Sequence, residues 1–317
     1  STFAILHLDG SVSMYKPNSS NEYTWPHISQ RGNTFDLIKD KLTNGVKKVY
    51  SGKNSFVAVK DNGEVYTWGT VSNHEIYENT EALTDGNIKH IYGGNGSFVA
   101  LKNDGSVISW GDIVRKKNLS YNASNNFYTG NEIIQQPLDL KNVVNIVGSG
   151  SYEGGGRSWA ALTADGQVVT WGAISTGGDS SVFRWWNDIT DVSTELTSGV
   201  VEVISNYGAF AALKKDGSVI TWGNSKYAGD SSSVASSLKS GVKAIMSTRF
   251  NFAAIKNDGS VVCWGDITSG GNIANATGDV NNGSESFATP YTSKWELSEP
   301  NKDSQEISSD DTDSSDD

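Results

Sequence analysis

Residues that could carry chemistry are few and scattered in this 317-residue chain. Four histidines, His7, His27, His74 and His90, fall at no spacing that would set two ligands on one metal, and neither H-E-x-x-H nor G-x-S-x-G occurs. Cys263 is the only cysteine, so no intrachain disulfide can form. It sits in an apolar strand-like run, where a small buried thiol is expected rather than a nucleophile. The run Gly93-Gly94-Asn95-Gly96 lacks the strand-to-helix setting that a phosphate-binding loop requires. Asp310, Asp311 and Asp313 are weak calcium candidates, because their spacing does not follow the D-x-D-x-D-G loop. The expectation is a protein that is not an enzyme and needs no cofactor.

Residue types suited to binding are better represented. Phe183, Arg184, Trp185 and Trp186 stand together in a polar stretch, and aromatics with arginine are the side chains enriched at binding hot spots. They suit a protein pocket or the face of a sugar ring; the alternative is that the rings pack their own loop onto the body. Tyr121, Phe127 and Tyr128 form a second aromatic group among asparagines, with the same two readings. Asp179 and Asp230 occupy equivalent places in the phrases GGDSSV and AGDSSSV, where a carboxylate accepting backbone N–H bonds in a turn is expected.

Charge narrows the partners. The formal net charge is −11, and residues 298–317 hold eight acidic residues against one lysine. An acidic body argues against a nucleic-acid groove, since phosphate binding needs clustered Lys and Arg. No run approaches the roughly 20 apolar residues that span a bilayer, so membrane insertion is not expected. The chain begins at Ser1 without a signal-like segment and reads as a processed or excised fragment.

The elements that must position these groups come from a repeat. One fourteen-residue unit occurs six times without an internal gap: FAILHLDGSVSMYK from Phe3, FVAVKDNGEVYTWG from Phe56, FVALKNDGSVISWG from Phe98, WAALTADGQVVTWG from Trp159, FAALKKDGSVITWG from Phe210 and FAAIKNDGSVVCWG from Phe252. Each reads as a β-hairpin: an apolar run, a Gly at the turn, then a run rich in Val, Ile and Thr. Small residues recur in the first strand (Ala58, Ala100, Ala161, Ala212, Ala254) and tryptophans end the second (Trp68, Trp110, Trp171, Trp222, Trp264), so large rings should meet small neighbours from the adjacent sheet. A further strand-like phrase precedes five units, ending in Val49, Ile91, Ile146, Val203 or Ile245. Each repeat therefore supplies three strands, and its connection can contribute a fourth.

The phrase FxALxxDGxVxxWG preceded by GVxxI resembles the repeat of the regulator of chromosome condensation family, over roughly residues 1–265. The β-lactamase-inhibitor propellers are similar in architecture. The resemblance implies an all-β radial β-propeller, and by family analogy a regulator (a nucleotide-exchange factor for a small GTPase) or an enzyme inhibitor. Six blades are expected, with seven as the alternative count. The first hairpin opens at residue 3, and its third strand is expected from the C-terminal segment, where Val280 precedes Phe287-Ala288 by the offset seen elsewhere. The ring then closes by pairing the two ends of the chain, with residues 1–297 the propeller and 298–317 an acidic tail or linker. Long connections at 17–45, 112–142 and 173–199 should decorate one rim or face. The function expected is a non-catalytic module engaging a protein or glycan through these loops, at the cell surface or outside it. A structural unit of a larger assembly is the alternative.

Overall fold

The computed structural model describes residues 3–15, 35–52, 55–69, 83, 85–94, 96–111, 120–122, 127–129, 133–134, 137, 139–149, 158–180, 191–269 and 271. The fold is all-β, a six-bladed propeller, with short 3₁₀ turns in several of the described connections. Blade 1 contributes the hairpin β1 (Phe3–Leu6) and β2 (Val12–Tyr15). Blade 2 has β3 (Val46–Ser51), β4 (Ser55–Lys60) and β5 (Val65–Gly69), and blade 3 has β6 (Ile88–Gly93), β7 (Ser97–Lys102) and β8 (Val107–Gly111). Next come β9 (Ser120–Asn122), β10 (Phe127–Thr129) and β11 (Ile133–Ile134). Blade 4 follows with β12 (Val143–Gly148), β13 (Ser158–Thr163) and β14 (Val168–Ala173). Blade 5 has β15 (Val200–Ser205), β16 (Ala209–Lys214) and β17 (Val219–Gly223), and blade 6 has β18 (Val242–Ser247), β19 (Asn251–Lys256) and β20 (Val261–Gly265).

Within blades 2–6 the strands run inner, middle, outer in chain order and pair antiparallel. Inner strands neighbour one another from blade to blade, β3 beside β6, β6 beside β12, β12 beside β15 and β15 beside β18. Each inner strand carries one bulge at the same place, after Val46, Ile88, Val143, Val200 and Val242. The extra residues, Lys47, Lys89, Val144, Val201 and Lys243, all point to solvent. Only blade 4 gains a fourth strand among the described residues: β11, from the 112–142 connection, pairs with the outer strand β14. The expected closing strand falls in residues 272–317, outside the described residues, as does the acidic tail with Asp310, Asp311 and Asp313.

The core is a series of wedges between blades. Phe98, Ala100 and Trp110 of blade 3 pack on Val57 and Tyr50 of blade 2, while Val99 and Leu101 on the other face meet Trp159, Ala161 and Trp171 of blade 4. The pattern repeats from blade 4 to 5 and from 5 to 6. The repeat alanines Ala100, Ala161, Ala212 and Ala254 share a blade face with the tryptophans rather than meeting them from the adjacent sheet, which instead supplies Val57, Val99, Ala160 and Ala211. Directly opposed rings stack within a blade, Phe56 on Trp68, Phe98 on Trp110 and Phe210 on Trp222, at 5.2–5.5 Å. The indole near the end of each outer strand in blades 2–6 also finds an acceptor one blade back. Trp110 donates to Thr67 Oγ1 and Trp171 to Ser109 Oγ, Trp222 to the Gly177 carbonyl, Trp264 to that of Ala228, and Trp68 reaches Met14 Sδ. A large ring with one polar atom thus joins neighbouring blades by burial and by a directed bond.

The hairpin turns serve the same purpose. At Gly217 φ is +79°, while the preceding Asp216 keeps negative φ, so the turn is a three-residue loop ending in a left-handed glycine rather than a mirror-image two-residue turn. Asp216 accepts the N–H and hydroxyl of Ser218, as Asp9, Asp104 and Asp258 do with Ser11, Ser106 and Ser260. The Gly217 carbonyl then accepts the Val242 N–H of the next blade, and a Cβ there would lie 2.7 Å from the Gly241 nitrogen. Only glycine meets both demands. One packing element escaped the repeat pattern: a leucine three to five residues before every inner strand (Leu42, Leu83, Leu140, Leu196, Leu238), buried in each case.

Candidate interaction surface

Antiparallel order puts the loops between inner and middle strands on the same face as the ends of the outer strands, and the Asp-Gly turns on the other. In blades 2 and 3 those inner-to-middle loops open with Gly52 and Gly94, and a Cβ at either would strike Ser55 or Ser97 Oγ at 2.8 Å. Blades 5 and 6 differ. Their loops carry Tyr207, and Arg249 with Phe250, which gather with Tyr227 from the segment after β17.

The geometry is specific. Tyr227 and Phe250 lie nearly parallel at 5.7 Å, and Tyr207 meets Tyr227 edge-on at 5.3 Å. The exposed Arg249 guanidinium sits 4.6 Å from the Tyr207 ring centre and 4.9 Å from that of Phe250, and donates from Nη2 to the Tyr207 hydroxyl at 3.3 Å. Lys226 Nζ lies 5.7 Å from the Tyr227 ring centre. The rings are half-buried, so part of each stays open to a partner.

Backbone bonds hold these side chains in place. Asn206 accepts the N–H groups of Gly208 and Ala209 through Oδ1, and its amide donates to the Tyr227 carbonyl. Asn224 takes the Lys226 N–H and donates its own N–H to Gly208 O, and Ala228 turns the chain at φ +68°. Tyr227 is seated directly against Gly208, where a Cβ would be 2.6 Å from Cδ2. Asp266, close to Lys226, is held below the usual carboxylate range mainly by the Thr268 hydroxyl and then by its N–H. Lys226 therefore lies near a carboxylate that stays charged, and the patch is amphipathic rather than strongly cationic.

Of the candidates taken from sequence, Phe183, Arg184, Trp185 and Trp186 lie outside the described residues. Tyr121, Phe127 and Tyr128 fall on the hairpin β9–β10, with Tyr121 opposite Tyr128 and Phe127 opposite Asn122. Asp230 takes its expected turn role, accepting the Ser232 N–H at 2.8 Å. Cys263 is half-buried, and burial pushes its thiol above the usual range, which disfavours a thiolate. Among the described residues no group of three or more His, Cys, Asp or Glu could hold a metal, and no helix is long and apolar enough to cross a membrane.

Tyr207, Tyr227, Arg249 and Phe250 were not singled out from sequence. A signal existed: aligning the six units places Tyr207 and Arg249-Phe250 just ahead of β16 and β19, where other repeats have Lys53-Asn54 or Asn95-Gly96.

No protein-family profile matches the chain, and no curated protein does either, so the family resemblance rests on the repeat motif. Among solved structures the chain is similar to Prp20p from Saccharomyces cerevisiae, at 18% identity over 69% of this chain and 58% of that one, with a TM-score of 0.39. It is similar to the ectodomain of the Physcomitrella patens receptor kinase CR4 at 14% identity, over 83% of this chain and 59% of that one, TM-score 0.39. The CRINKLY WD40 ectodomain of the Arabidopsis thaliana receptor kinase ACR4 gives 17% identity over 84% and 77%, TM-score 0.37. The chain thus spans less than two thirds of the first two. At these scores the likeness extends to neither activity nor partner.

Proposed function

We propose that this propeller is a non-catalytic binding module that engages a protein through the face carrying the inner-to-middle loops, with the blade 5–6 patch as its anchor. The observation that supports this most is the contrast among equivalent loops. The aligned positions are Lys53-Asn54 and Asn95-Gly96 in the sequence of blades 2 and 3, whereas blades 5 and 6 place Tyr207, Arg249 and Phe250 there, partly exposed and fixed by stacking. Tyrosine and arginine held rigidly before contact lose little entropy on binding, which is why such residues dominate interface energetics. Propeller packing does not require them there.

A photo-crosslinking residue in place of Tyr207, in the full chain, tests this in extract of the source cells, with the same residue at Asp104 on the opposite face as control. A discrete protein adduct is expected from position 207 only, and it should disappear on Arg249→Ala. Equal adducts from both faces, or an adduct that survives Arg249→Ala together with Tyr227→Ala, would overturn the reading.

A further inference from the structure

The mouth of the propeller axis on the Asp-Gly face is built from the bulge residues. Inner strands enter from that face, so the bulge after Val46, Ile88, Val143, Val200 and Val242 sets one side chain per blade at the rim of the axis, out of the hydrogen-bonded ladder. Taken in blade order these are Lys47, Lys89, Val144, Val201 and Lys243, all exposed. Neighbouring inner strands touch, β6 beside β12, β12 beside β15 and β15 beside β18, so two valines stand on adjoining blades with a lysine flanking each.

Packing does not ask for valine there, because lysine fills the same place in three blades. Val144 and Val201 keep 49% and 54% of their surface in water. One exposed apolar residue needs no explanation, but two adjoining ones near the centre of a face form a small apolar step. Charge surrounds that step. The first three residues of the five inner strands (46–48, 88–90, 143–145, 200–202 and 242–244) include Lys47, Lys48, Lys89 and Lys243, with Glu202 the one acid. In a chain of net charge −11 this is a local excess of cations. Further from the axis the sign reverses. Asp9, Asp104, Asp216 and Asp258 at the hairpin turns are held below the usual carboxylate range, mainly by the hydroxyl of the serine two residues on.

We infer that this mouth binds a compact organic anion, its acidic group among Lys47, Lys89 and Lys243 and its apolar body on Val144 and Val201. An extended polyanion or an anionic membrane would lie across the outer carboxylates and be repelled. A small anion instead reaches the axis, where opposite charge against a low-dielectric wall concentrates it. An inorganic anion would leave the valines without a contact. The site is independent of the proposed function, since the rim patch lies on the other face.

The test is titration of the full chain with anilinonaphthalene sulfonate, a fluorescent aromatic anion. Val144→Lys with Val201→Lys installs the residue native to this place in three blades and adds positive charge. It should nonetheless weaken dye binding about tenfold, because the apolar step is gone. Lys89→Gln with Lys243→Gln should weaken it by a similar factor. Octanoate should displace the dye from the native chain, and neither octanol nor inorganic phosphate should do so at the same concentration. Unchanged dye affinity in either variant would place the dye elsewhere, such as on the exposed residues of β1, and overturn the inference. Displacement by octanol would show that apolar contact suffices, and displacement by phosphate that charge suffices; each result equally overturns it.

Discussion

Two clusters of rings and cations in this molecule use the same residue types for different ends. Lys48, Tyr50, His90 and Tyr92 meet on the inner strands of blades 2 and 3, with His90 edge-on to Tyr50 at 5.2 Å and to Tyr92 at 4.6 Å. Tyr50 is buried, and burial, with a smaller contribution from Tyr92, pushes its hydroxyl up to about 12. Tyr207, Tyr227, Arg249 and Phe250 gather instead on loops at the rim of blades 5 and 6, half-exposed. Composition does not separate the two, but position in the blade does. On its inner strand Tyr50 is enclosed by the neighbouring blade, with His90 and Tyr92 half-buried beside it; on a loop just before the middle strand nothing in the repeat encloses a ring to the same degree.

That difference sets the largest expected effect. Phe210→Ala empties a site enclosed by Trp222 and the blade 4 wall, and large-to-small changes of this kind cost about 3–5 kcal/mol. Phe250→Ala, on the loop, should cost about 1 kcal/mol or less, because its ring is already partly hydrated. Urea denaturation of both variants decides the matter. Equal losses would mean that the rim cluster is core, and the binding reading would lose its main support.

A subtler pair separates packing from recognition without removing a ring. Gly208→Ala sets a methyl 2.6 Å from Tyr227 Cδ2, so Tyr227 must swing away from Phe250. Gly94→Ala sets one 2.9 Å from Trp159 Cζ2, inside the blade 3–4 wedge. The first should weaken partner capture about tenfold, which is about 1.4 kcal/mol, with little change in melting temperature. The second should lower the melting temperature and leave capture intact. A Gly208→Ala protein that binds normally would show that Tyr227 is not part of the contact.

Much of the fold was legible because its determinants are short-range and repeated. A glycine at each turn, an alanine opposite the neighbouring blade and a tryptophan at each strand end recur at fixed offsets, and each reports a local demand of the backbone or the wedge. The leucines before the inner strands were not legible, since their distance from the strand varies and they act by folding back beneath it. The bulges were hidden for a similar reason: the extra residue is lysine in three blades and valine in two, so it leaves no compositional mark. The rim cluster is assembled from three segments far apart in sequence, and only the fold joins Tyr227 to Arg249. Trp185 and Trp186 belong to a long connection in the sequence, whereas Tyr207, Arg249 and Phe250 belong to short loops between inner and middle strands.

The smallest expected effect belongs to the blade 2–3 cluster and tests whether it is purely structural. Burial, reinforced by the Lys48 charge, lowers the pKa of His90 from its usual value. The neutral ring is therefore favoured in the folded state, and the unfolded chain binds the extra proton first as pH falls. Stability from this source is fully present above the unfolded value near 6.5 and is lost as pH drops through the lower folded value. Melting temperature should rise modestly from about pH 5 to about pH 7, and His90→Gln should flatten that slope while Arg249→Ala leaves it unchanged. If His90→Gln preserves the slope, the imidazole titrates as freely in the fold as outside it. The enclosed character assigned to the blade 2–3 cluster, on which its contrast with the rim depends, would then be wrong.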